Sequence, residues 1–319
     1  MSTEKRAAVS VEIGESGTTV ALIDGRGEIL QRSRAKTLWG RPALATLEPY
    51  VHAIEMLLRY AESAGLQVAG IGICVPGSVD TEERRPLVVP AVPSLNGFPV
   101  CDFIEARYNL PVQLHVDVDA ALLGEHYFGA GKGFRRILFL TINTVVGAAF
   151  VTNGTLERTT QQYVGHICHL LLSPGGPRCS CGKRGCINTM ISIPAMQKMV
   201  QRALRRGEET SLTQRLLNRE YFSPQLLAEE AERGDAVALQ VYEEVGRWLG
   251  TATGKYLSLF EPHMIILGGD VLSASDLLLP QVRKALMVQS ATHAWNATEV
   301  VAAHLGADSA LIGAVAQLF

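Results

Sequence analysis

The sequence predicts an α/β protein of two lobes. Strand and helix patterns alternate twice over along 319 residues, and glycine-bearing turns punctuate both series. A segment dense in cysteine interrupts the second series at 166–188, which reads as an inserted loop.

The first series opens with two β-branched, alternating stretches, 7–14 (AVSVEIGE) and 18–24 (TTVALID), joined by a short turn, with a third strand near 28–34. Leu47, Val51, Ile54, Leu57, Leu58 and Ala61 keep helical spacing between Leu44 and Ala64, and Gly65 stops the run. The buried strand VAGIGICV leads to the Pro76-Gly77 turn. A helix near 100–108, the strand PVQLHV and the helical DVDAALLGEHYFG follow. In the second series, strands at 136–142 and 147–152 meet a hairpin signal at Asn153-Gly154. The chain then turns mainly helical, with a long helix around 234–260 and the strand HMIILG before Gly268-Gly269. Another helix, a strand at 298–302 and a closing helix, DSALIGAVAQL, complete it. The expected lobes are 1–117 with about 305–319, and 118–304, divided near Asp117.

Hydrophobic content of 47% and charged content of 19% are those of an ordinary globular chain. A net charge of -2 gives no reason to expect nucleic acid as the main partner, which usually needs a basic face. The first residues, MSTEKRAAVSVEIG, carry no apolar leader, and no run is long enough to span a membrane. The expected compartment is the reducing cytoplasm, where clustered cysteines are metal ligands more often than disulfides.

The stretch HICHLLLSPGGPRCSCGKRGC holds two histidines and four of the six cysteines. Glycines 175, 176 and 182 let the backbone fold tightly, so that His169, Cys179, Cys181 and Cys186 can converge as a Cys3His set. With every position filled by protein, such a set describes structural zinc, since no position stays open for water. The alternatives are reduced thiols without metal, or His166 in place of His169. Cys74 and Cys101 read as small buried hydrophobes.

The order of elements around His169 and CSCGKRGC resembles the ROK family of repressors and sugar kinases. GIGICVPGSVD (70–80), DVDAALLGE (117–125), VTNGTL (151–156), MIILGGDV (264–271) and ALIGAV (310–315) carry the resemblance further. It implies an actin-like, hexokinase-like fold of two RNase-H-like lobes with nucleotide and sugar in an interlobe cleft, and a homodimer or homotetramer. Repressors of the family carry an additional helix-turn-helix domain at the N-terminus, for which this chain shows no room.

The resemblance assigns Asp117 the role of general base; by itself, the same residue reads equally as an aspartate capping the helix that follows. Val116 and Asp119 replace asparagines of the family pattern. The first phosphate loop, Asp-x-Gly-Gly-Thr in the family, is here Glu12-Ile13-Gly14-Glu15-Ser16, so that Glu15 brings bulk and negative charge toward phosphate. Glu12 would still help hold Mg2+, and Gly14 and Ser16 would still meet nucleotide. The second loop runs from Asn143 to Ala149; Thr144 and Gly147 persist, whereas Val145 is β-branched. Gly268-Gly269 keeps the adenosine-side turn. On the sugar side the implied contacts are Gly77, Asn96, Asp117, His166, His169 and Asn188. His166 and Asn188 stand where the family has glutamates, and the approach is Thr159-Thr160-Gln161-Gln162-Tyr163. Each lost charge-assisted hydrogen bond is worth roughly 1.5–3 kcal/mol.

Three functions follow as expectations. One is an ATP-dependent kinase of a sugar or sugar derivative using Asp117 and Mg2+. A second is a small-molecule sensor on the same scaffold that transfers nothing. The third is an inactive subunit beside an active paralogue.

Overall fold

The computed structural model describes residues 6–14, 17–38, 40–157, 166–289 and 298–319. The chain forms two compact units, Met1–Gly133 with Thr155–Val164 and Asp308–Phe319, and Phe134–Gly154 with Gly165–Ala307.

In the first unit β1 (Arg6–Ile13), β2 (Thr18–Asp24) and β3 (Ile29–Ala35) form an antiparallel meander. Asp24 closes the β2–β3 turn by accepting hydrogen bonds from the amides of Arg26 and Glu28 at 2.9 and 2.8 Å. Helix α1 (Ala43–Ser63) turns Leu47, Val51, Ile54 and Leu57 inward, as their spacing requires. Strand β4 (Gln67–Val75) is apolar throughout its second half because it lies between β1 and a later strand, with both faces covered. A small hairpin that the sequence reading missed follows, β5 (Ser78–Asp80) with β6 (Arg85–Val88). Then come α2 (Val100–Tyr108), β7 (Val112–Val116) and α3 (Asp117–Tyr127). The sheet order is β3-β2-β1-β4-β7, with β1, β4 and β7 parallel.

The second unit is built on β8 (Arg136–Ile142), β9 (Val146–Thr152), α4 (Asn188–Ile191), α5 (Ile193–Arg205), α6 (Leu212–Leu217), α7 (Pro224–Glu232), α8 (Ala236–Phe260), β11 (Met264–Gly268), α9 (Ser275–Gln289) and β12 (Glu299–Ala302), and the two-residue β10 (Thr155–Leu156) falls in the segment counted with the first. The second five-stranded sheet has the order β10-β9-β8-β11-β12. Side chains at the starts of α5, α7 and α8 cap them: Ser192 accepts from the Ala195 amide, Ser223 from Leu226 and Asp235 from Ala238. Arg215 ties α6 to α7 by pairing with Glu220, Glu229 and the buried Glu230.

Two expectations need correction. The division between units falls at Gly133 rather than Asp117, because α3 packs on α10 (Ser309–Gly313) within the first unit. A Cβ on Gly313 would overlap the Ala120 carbonyl, and one on Gly124 the Ser309 carbonyl, so the two helix backbones touch. Buried Glu125 accepts from the Ser309 hydroxyl at 2.8 Å across the same contact. The second correction concerns the closing segment. It is α10 between two 3-10 turns, Gly306–Asp308 and Ala316–Leu318, instead of one helix over 308–318.

Candidate functional site

Parallel pairing brings the carboxyl ends of β1, β4 and β7 to one edge of the first sheet, where α/β folds place ligands. Glu12 on β1 lies in register with Cys74 on β4, and Cys74 with His115 on β7. Asp117 follows directly, as the first residue of α3. It is not the cap of that helix: the N-cap is Val116, and the half-buried Asp117 carboxylate accepts from the amide of its neighbour Val118 at 2.8 Å.

Burial and the negative charges of Asp117 and then Asp308 push the Glu12 carboxyl up to about 7, against the opposing pull of Arg32. Arg32 on β3 pairs with Asp308 at 2.6 Å. The edge thus gathers three carboxylates and one guanidinium. The sequence reading found Glu12 and Asp117 and missed Asp308 and Arg32. Asp308 stands at the head of the DSALIGAV run, and that position was its only local signal.

Because the folded state raises the Glu12 pKa, ionising Glu12 costs stability, and that loss grows as pH rises from the ordinary carboxylate range through 7. Glu12→Gln is therefore expected to match the wild type at pH 5. At pH 8 it should exceed it by roughly 1–2 kcal/mol, allowing for partial exposure of the group. Thermal melts of both proteins at the two pH values check this. Equal differences at both would contradict a strained carboxylate.

In the second unit, Thr144 lies on the β8–β9 turn and Gly268-Gly269 at the end of β11, again at carboxyl ends of parallel strands, while Gly147 is the second residue of β9, paired with Thr141. The turn is held from within. Asn143 accepts the Asp270 amide on its side-chain oxygen at 2.7 Å and the Ile193 amide on its carbonyl at 3.0 Å. Asn188 accepts the Val146 amide at 2.9 Å. Asn188 therefore braces the β8–β9 turn through its side-chain oxygen. Gly269 takes φ of 93° with Ile142 so close that a side chain would collide. Val145 points outward, 55% exposed, and the turn needs no positive φ at any of its residues.

Gly77 and Asn96 sit together beside β6: a Cβ on Gly77 would overlap the Val88 carbonyl, and Asn96 accepts the Val89 amide at 2.8 Å. Both shape that hairpin. Of the first loop, Gly14 donates to the Gly17 carbonyl at 2.9 Å, whereas Glu15 and Ser16 lie outside the described residues, as do 158–165 and the side chain of His166.

His169, Cys179, Cys181 and Cys186 converge, with their donor atoms all within 4.8 Å of one another. A tetrahedral ion bonded at about 2.3 Å to sulfur and about 2.0 Å to nitrogen would set donors roughly 3.5–3.8 Å apart. The observed Cys181–Cys186 sulfur separation is 3.6 Å, and Cys179 Sγ lies 3.4 Å from His169 Nδ1. The donor set fits such an ion. Burial raises the Cys179 thiol, but hydrogen bonds from the Cys181 backbone and from the side chains of Cys181, Cys186 and His169 outweigh it and bring it down to about 6. Cys168 is buried in the hydrophobic core, and Cys74 and Cys101 are buried as expected.

No helix among the described residues is long and apolar enough to cross a membrane. The ROK family model matches residues 8–318. The chain is 28% identical over 311 residues to a glucokinase of Thermotoga maritima, covering 97% of this chain and 96% of that one. A ROK-family glucokinase from Streptomyces griseus, solved with glucose and AMPPNP, superposes with a TM-score of 0.77 at 29% identity and covers 97% of each chain. A ROK-family transcriptional regulator, homologous to the Escherichia coli MLC protein, superposes with a TM-score of 0.87 at 24% identity, over 99% of this chain and 79% of that one, a likeness of fold. The chain belongs to the ROK family, and its two α/β units have that family's two-lobed, actin-like fold.

Proposed function

We propose that this protein is an ATP-dependent sugar kinase that transfers the γ-phosphoryl group to a sugar hydroxyl. One observation carries the reading: Asp117 and Glu12 meet at the carboxyl edge of three parallel strands in a chain similar to glucokinases along almost its whole length. Asp117 receives the proton of the attacking hydroxyl as its oxygen bonds to the γ-phosphorus and the bond from that phosphorus to the β,γ-bridging oxygen breaks, releasing ADP. Glu12 would help hold Mg2+, whose charge would offset the repulsion from Asp117 and Asp308 and would supply electrostatic stabilisation of the phosphates. Arg32 holds Asp308 and keeps the edge from accumulating further negative charge. Thr144, Gly147, Gly268 and Gly269 offer the second unit's surface to nucleotide. His169, through its second ring nitrogen, would contact the sugar. The Cys3His set takes zinc in a structural role.

A second reading is favoured by the β8–β9 turn, whose Val146 amide is spent on Asn188 and whose tip exposes Val145. A turn so closed offers fewer donors to phosphate, as a small-molecule sensor would tolerate. Calorimetry with Mg-AMPPNP separates the two. The kinase reading expects measurable heat and saturable binding at about 0.01–1 mM. Absence of heat across that range favours the sensor.

A further inference from the structure

Between Glu157 and Glu208 the chain has no acidic residue and eight lysines and arginines, in a protein whose net charge is -2. Part of that charge is concentrated on the cysteine loop. Arg178 and Arg184 form an isolated antiparallel bridge, so their side chains leave the ribbon on the same face, directly opposite one another. Both are exposed, as is Lys183. Like charges so placed repel, and a free ribbon would splay to separate them. This one is held shut. The Cys179 amide donates to the Lys183 carbonyl at 2.8 Å, the Gly182 amide to Cys179 at 3.0 Å and the Gly185 amide to Pro177 at 2.8 Å. Cys179, Cys181 and Cys186, interleaved with the arginines, bring their sulfurs together with His169, all four donor atoms within 4.8 Å of one another. Among the described residues neither arginine has an acidic partner.

We infer that Arg178 and Arg184 form a binding site for a phosphate dianion, carried as inorganic phosphate or as the ester of a sugar phosphate. Two guanidinium forks facing across one ribbon present parallel N–H donors to a tetrahedral dianion, and the ligand's two charges cancel the repulsion that the fold imposes. The footprint of two arginines and a flanking lysine matches one phosphate group and is too small for a nucleic-acid backbone. The site is built from residues of the second unit alone and does not depend on the kinase reading.

The test is calorimetric titration of the metal-loaded full chain at low salt, with inorganic phosphate in one arm and glucose 6-phosphate in the other. Wild type is expected to bind at least one of them, and Arg178→Ala/Arg184→Ala to bind it about tenfold more weakly with unchanged metal content. Arg202→Ala/Arg205→Ala on α5, which removes the same net charge, should leave binding as in wild type. Tighter binding of the ester identifies the sugar phosphate as the ligand, and equal binding identifies the phosphate group alone. Should the alanine pair unfold, Arg178→Lys/Arg184→Lys retains charge without the forks and is expected to weaken binding about threefold. Lack of binding by wild type, or binding that neither arginine pair variant alters, overturns the site.

Discussion

Asp117→Asn is expected to lower kcat for sugar phosphorylation by about 10²–10⁴-fold while KM for either substrate moves less than about threefold. Asparagine keeps the size of aspartate and can still accept from the Val118 amide, so α3 begins in the same place. What disappears is a basic oxygen beside the attacking hydroxyl. The variant also removes one of the charges that push up the Glu12 carboxyl, so Glu12 should ionise more readily and Mg2+ binding should not suffer from that source. A kcat within about threefold of wild type would move the base to another residue, and Glu12 would be the first to examine.

Removal of the metal is the second large effect. The loop 166–188 has little regular structure: a 3-10 turn and two isolated bridges. Its shape therefore depends on the four converging ligands. Wild type is expected to carry about one equivalent of zinc, and chelation or Cys179→Ser to cost roughly 3 kcal/mol, which for a unit of this size lowers Tm by about 6–12 °C. The effect reaches the nucleotide side. Cys186 is followed at once by Ile187, whose amide bonds the Leu170 carbonyl, and by Asn188, which holds the Val146 amide of the β8–β9 turn. Loss of metal should weaken Mg-AMPPNP binding together with stability. Elemental analysis and melts with and without chelator check both. A metal-free protein of equal Tm would contradict a structural role.

Much of this was legible in the sequence because the informative signals are local. The spacing of apolar residues in α1, the apolar run of β4 and the Asn153-Gly154 turn follow from period and turn chemistry. The Cys3His set was legible because its three cysteines and one histidine fall within eighteen residues of chain. The hairpin of β5 and β6 was not, since strands of three and four residues, one containing Pro86, are too short to show alternation. The unit boundary was misread because a contact between Gly124 and Gly313 has no signature in either helix alone. Arg32 and Asp308 are equally remote from one another in sequence, and only the packing of α10 beside β1 reveals them as partners of Glu12. Ser10 shows that packing by donating to the Leu311 carbonyl at 2.5 Å. The motif position of Asn188 implies a sugar contact but carries no sign that its side-chain oxygen holds the Val146 amide.

The central claim is that the carboxylate edge of the first sheet performs phosphoryl transfer to a sugar. ADP release coupled to an indicator reaction, screened over hexoses, N-acetylhexosamines and amino sugars with Mg-ATP, tests it most directly. The expected result is sugar-dependent ADP release with at least one of them, abolished by Asp117→Asn. No sugar-dependent release with any of them, from folded, metal-loaded protein, would contradict it.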